Sequence, residues 1–103
     1  MWYEVAVKGG GRVELAAYGI ADAEHQAEKE IRAAWPDARV SIVEVSRSDP
    51  EQRIVEEFAI RYRVSGVVSV NADGADEARR LALRSLRDRF GGTRFGRIVW
   101  DPA

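Results

Sequence analysis

Apolar and polar positions alternate from the start of the chain. Tyr3, Val5 and Val7 fall on one side and Trp2, Glu4, Ala6 and Lys8 on the other, which is the period of a half-buried strand. Gly9-Gly10-Gly11 interrupts the run, and alternation resumes with Val13, Leu15 and Ala17 against Glu14 and Ala16. Two alternating runs around a glycine cluster predict a β-hairpin. Over residues 22–35 the period lengthens to that of a helix. Ala23, Ala27, Ile31, Ala34 and Trp35 share one face, Asp22 is the expected cap and Pro36 the stop. Residues 39–47 then predict a third strand, with Val43 and Val45 facing the helix and Val40 and Ile42 on its back.

The same order recurs 55 positions later. Phe58, Ile60, Tyr62 and Val64 alternate with Arg61 and Arg63, Ser65-Gly66 is expected to turn the chain, and Val67 to Val70 form the return strand. Ala78, Ala82, Leu86 and Phe90 mark a second helix that Gly91-Gly92 ends, with Asp73 and Asp76 at its start. A last strand over residues 94–100 turns Ile98 and Trp100 inward and Phe95 and Val99 outward. The offset superimposes Val5 on Ile60, Gly11 on Gly66, Leu15 on Val70, Ile31 on Leu86 and Trp35 on Phe90. A register kept through strand, helix and strand without a gap indicates an internal duplication.

The expected fold is therefore α+β: a duplicated β-β-α-β unit forming a two-layer sandwich, with a largely antiparallel six-stranded sheet and two helices on one face. It is related by analogy to the ferredoxin-like arrangement, an analogy that carries no function. The alternative is two smaller sheets exchanged in a dimer. Either way the chain reads as one domain of two repeats, 1–48 and 54–103, joined by a polar connector at 49–53 that contains Pro50.

Charge separates the two copies. Residues 1–52 carry six Lys and Arg against ten Asp and Glu, whereas residues 53–103 carry ten arginines against seven acids. An acidic copy joined to a basic one suits either an anionic partner or head-to-tail attraction between chains. There is no cysteine, which excludes disulfides and thiolate metal sites and fits a cytoplasmic location. No apolar run reaches the ~18 residues of a membrane span, and strand-like alternation from the first residues leaves no room for a signal peptide. The expectation is a soluble chain with no membrane partner.

Candidate chemistry is sparse. The single histidine, His25, lies one helical turn from Asp22 and Glu28, which would suit a proton relay or half of a metal site. Its repeat equivalent is Arg80, and its position is on the solvent side of the helix, so it reads as a surface residue. Gly9-Gly10-Gly11-Arg12 is followed by a strand rather than a helix and lacks the Lys-Ser/Thr of a phosphate loop, so it reads as a turn. No cofactor, metal or catalytic constellation is expected.

Two surfaces remain. Arg80, Arg84 and Arg87 form a stripe on the second helix, and Arg61 and Arg63 extend along a strand. Together they are candidate contacts to an anion or to nucleic acid, because guanidinium groups fork onto phosphate oxygens, and Trp2 or Phe95 would supply base stacking. On the sheet back, Val40, Ile42, Phe95, Val99 and Trp2 are expected to form an exposed apolar face, a candidate interface for another protein or a second copy of the chain. The leading functional expectation is a small non-catalytic protein-interaction or oligomerisation module, with a homodimer as the preferred assembly. Nucleic-acid binding through arginine is the alternative, and a small-ligand or enzymatic role is third.

Overall fold

The computed structural model describes residues 1–48 and 54–101, so the connector expected at 49–53 lies outside the described residues. Six elements follow in the order β-α-β-β-α-β: β1 (Trp2–Ala17), α1 (Ile20–Ala34), β2 (Arg39–Arg47), β3 (Glu56–Asn71), α2 (Ala75–Phe90) and β4 (Val99–Trp100). They make one antiparallel sheet of four strands in the order β2-β3-β1-β4, with both helices on the same face.

The six-stranded sheet and the exchanged-sheet alternative are both corrected, because each expected hairpin is one continuous strand. β1 runs 16 residues straight through Gly9-Gly10-Gly11, and β3 runs 16 residues through Ser65-Gly66. No glycine has a positive φ, so nothing turns there. The glycines are required for close approach. A Cβ on Gly66 would lie 2.5 Å from Cζ2 of Trp35, and one on Gly9 would lie 2.7 Å from Cε3 of Trp100. Trp35 from the end of α1 and Trp100 from β4 come close to bare strand backbone, one of the recognised reasons for glycine inside a strand.

β1 and β3 pair along their whole lengths, from Trp2 opposite Asn71 to Ala17 opposite Glu56. Gly9 and Val64, which the 55-residue offset makes equivalent, are also each other's partners, so the pseudo-two-fold axis passes through this pair. Sixteen residues of strand span about 53 Å, which accounts for the 55 Å long axis of the molecule. A helix of 15 or 16 residues covers only about 23 Å, so each helix shields half of the ribbon. Trp35, just past α1, and Phe90, at the end of α2, both reach Trp100, at centroid distances of 6.2 and 6.0 Å. Trp100 in turn pairs with Gly9 beside the axis. The helices thus converge on the centre by their C-terminal ends.

Their starts are also equivalent. Asp22 is in the first turn of α1 rather than at its cap, and its carboxylate accepts the N–H of Tyr18 at 3.0 Å. Glu77, 55 residues on, accepts the N–H of Asp73 at 3.2 Å in front of α2. Each carboxylate reaches back past the N-cap glycine to the N–H of the residue before it, and sits where the helix dipole favours negative charge.

The third strands break the symmetry. β2 has nine residues and pairs with β3 from Ser65 to Phe58, with a bulge between Ile42 and Glu44. The bulge shifts the alternation, so Val40 and Ile42 pack against the core with Val45, while Val43 is exposed. In the second copy, Thr93 holds a turn after α2: its hydroxyl donates to the carbonyl of Phe90 at 2.7 Å and accepts the N–H of Phe95 at 3.1 Å. That turn drives Phe95 into the core, 1% exposed, with its ring 5.2 Å from that of Tyr62. β4 is then only two residues long, and its Trp100 stands opposite Gly9 instead of Val5, the partner that exact symmetry would choose. Among the described residues no helix is long and apolar enough to cross a membrane.

Two outcomes test this packing. Gly66→Ala should destabilise the fold by about 1–3 kcal/mol through overpacking against Trp35, whereas Gly92→Ala, with open space around its Cβ, should be neutral in urea unfolding. Burial pushes the Tyr62 hydroxyl up to about 12, against about 10 in an unfolded chain. The folded state therefore holds this proton more tightly. Its contribution is complete below about pH 10 and is lost as pH rises toward about 12. Tyr62→Phe should flatten that alkaline fall in stability, as followed by circular dichroism.

Candidate anion-binding face

The helices cover one side of the sheet and leave the other to solvent. Odd-numbered residues of β1 and even-numbered residues of β3 point at the helices, and Val7, Val13, Leu15, Phe58, Ile60 and Val68 are buried there. The open face takes the remaining residues, and their rows follow from the pairing, since directly opposed residues share a face. One row is Arg39, Ser65 and Lys8; the next is Ser41, Arg63, Gly10 and Val99; a third is Glu44, Arg61 and Arg12.

Small residues form the floor of this face and cations rise from it. Adjacent strands are about 4.8 Å apart, so the Cα atoms of Arg39 and Lys8 stand about 10 Å apart across Ser65. Both side chains are long enough to converge above the serine hydroxyl. A depression of about 350 Å³ is lined by Lys8, Arg39, Ser41, Arg63 and Ser65. A neighbouring one of about 530 Å³ shares Lys8, Arg39 and Ser65 and adds the carboxylates of Glu4 and Asp37 to its rim. A third, of about 400 Å³, continues the trough past Gly10 to Arg12, Arg61 and Arg63.

Carboxylates occupy part of the positive charge. Arg61 meets Glu44 at 3.3 Å, Arg12 meets Glu14 at 3.2 Å, and Arg63 meets Asp101, whose own N–H donates to the carbonyl of Lys8 at 2.8 Å. Lys8 and Arg39 have no acidic partner within salt-bridge distance among the described residues. They are the unpaired cations of the face, with Glu4 and Asp37 beside them in the larger depression beyond ion-pair distance.

The two groups of arginines expected to act together lie apart. Arg61 and Arg63 are on the open face, whereas Arg80, Arg84 and Arg87 line a separate depression with Glu77 on the outer surface of α2, in the opposite layer. The expected apolar interface is also redistributed. Val40, Ile42 and Phe95 belong to the core side, and only Val99 and Trp2 are exposed, 71% and 72%. Trp2 lies opposite Asn71 at the far end of the ribbon, about 20 Å along the strand from Lys8. No aromatic ring stands on the cationic floor. His25 is exposed on α1, and among the described residues no three His, Asp or Glu side chains gather as a cation site.

Lys8 and Arg39 were not singled out by the sequence. Their signal depends on pairing: neither is remarkable until β3 sets them on either side of Ser65. Comparison with protein-family models, with curated proteins and with solved structures finds no match for this chain.

Proposed function

We propose that the protein is a non-catalytic binding module whose open sheet face receives the phosphate backbone of a nucleic acid. The observation that carries this reading is the pair Lys8 and Arg39, unpaired among the described residues, on either side of Ser65, with Arg63 and Arg61 next along the trough. A flat floor of Gly10, Ser41 and Ser65 lets a chain lie close, and charge rather than stacking supplies the attraction. With no ring on the floor, recognition is independent of base sequence. The lack of cysteine suits work in a reducing compartment such as the cytoplasm.

Self-association is the second reading. The observation that favours it is an uncharged free edge on β3, from Val67 to Asn71.

The first reading is tested by fluorescence anisotropy with labelled single-stranded RNA and DNA. Two phosphate contacts on a single strand predict a log-log salt slope of about −1.4. Lys8→Glu combined with Arg39→Glu should weaken binding by about tenfold or more at low salt. Replacing Arg80, Arg84 and Arg87 with alanine should leave it unchanged. Absence of binding at low salt, or loss only in the helix variant, would sink this reading.

A further inference from the structure

The two copies leave equivalent stretches of strand edge unpaired, and only one of them is guarded. β2 covers the outer edge of β3 from Ser65 downward, leaving Val67 to Asn71 open. The 55-residue offset relates these to Arg12 to Ala16 on β1, whose outer edge lies beyond the reach of β4. Arg12 and Glu14 hold that first edge with an ion pair. The second edge reads Val-Val-Ser-Val-Asn, with no charge and no proline. Charged residues are the usual guard against strand addition, and a β-branched, uncharged edge lacks it.

Backbone direction can be assigned along this edge. Met1 and Ala72 exchange both N–H···O bonds, at 3.0 and 3.3 Å, so hydrogen-bonded pairs fall at even-numbered β3 residues. Val67, Ser69 and Asn71 therefore turn their N–H and C=O groups away from β1, toward the open edge. In line with this, the carbonyl of Glu57, also odd-numbered, accepts the N–H of Ser48 on the β2 side.

We propose that this edge pairs with the same edge of a second copy, antiparallel about Ser69, joining two four-stranded sheets into one of eight strands. The inference rests on the self-association reading and specifies its surface. About that centre Ser69 meets Ser69 and Val67 meets Asn71, all with outward backbone groups, while Val68 meets Val70 on the helix side. No charge opposes a like charge anywhere along the five residues. The start of β2 limits the overlap. Asp73 of the second copy arrives there beside Arg39, of opposite charge, and Asp37, of the same charge, which leaves one net negative charge at each corner. A two-fold pairing consumes this edge in both copies and closes the assembly, since the open stretches of β1 carry Glu4, Arg12 and Glu14, the outer edge of β2 carries Arg39, Glu44 and Arg47, and β4 is only two residues long.

Sedimentation velocity over a range of concentrations tests this with the full chain. The wild type should show a monomer–dimer equilibrium. Ser69→Pro removes an outward N–H that the monomer does not use, and Val67→Lys restores a charged guard at an exposed position. Each should weaken the dimer by about tenfold or more, with circular dichroism unchanged, while Val99→Lys on β4 has no effect. Amide exchange gives a readout without substitution: protection at Val67, Ser69 and Asn71 should rise with concentration. A wild type that stays monomeric to about 1 mM overturns both the edge and self-association. A dimer that persists unchanged in the Ser69→Pro and Val67→Lys variants, or without added protection at these amides, overturns the edge alone.

Discussion

Sixteen consecutive residue pairs between β1 and β3 set the length of the molecule, and everything else is arranged to cover them. Two strands of this length form a ribbon that no single helix of this chain can shield. The solution is duplication: one helix per half, related by an axis through Gly9 and Val64. The centre, where both helices end, is covered by neither helix body. It is closed by Trp35, Phe90 and Trp100 packing edge-on or tilted against one another, contacts worth about 0.5–1.5 kcal/mol each beyond their buried area. Those rings fit only because the backbone beneath them carries glycine at positions 9 and 66.

The same constraint produces the functional surface. Once both helices lie on one side, the opposite face of the ribbon has no layer over it, and around its centre small and charged residues predominate. Ser65 and Gly10 keep it flat, and among the described residues Lys8 and Arg39 have no ion-pair partner. The loss of symmetry in the third strands matters as much. β2 completes one half of the sheet with nine residues, while the Thr93 turn spends the equivalent segment on burying Phe95 and leaves β4 with two. One half of the ribbon is therefore three strands wide over most of its length and the other only two, which is why free edges exist at all.

Much of this was legible in the chain. The helices, their stops, the 55-residue repeat and the inward residues of the long strands follow from periodicity, because burial on one side imposes a period of 2 or about 3.6 whatever the partners are. Even the continuity of β1 was visible. Tyr3, Val5, Val7, Val13, Leu15 and Ala17 are all odd-numbered, so the alternation never loses phase across the glycines. Local composition outweighed that phase in favour of a turn, since glycine clusters mark hairpins more often than they make room for a ring.

Tertiary structure alone decided the rest. Whether Val40 and Ile42 point in or out depends on a bulge at Val43, a one-residue slip that reverses the face of a strand and leaves no trace in composition. Phe95 is buried because a turn 55 residues from its counterpart takes a different path. Arg61 and Arg80 end on opposite layers, and Lys8 and Arg39 meet across Ser65, because strand order brings together residues that the chain keeps far apart. Periodicity records which side of an element is buried. It holds no information on which element lies alongside, and a binding face is made of those neighbours.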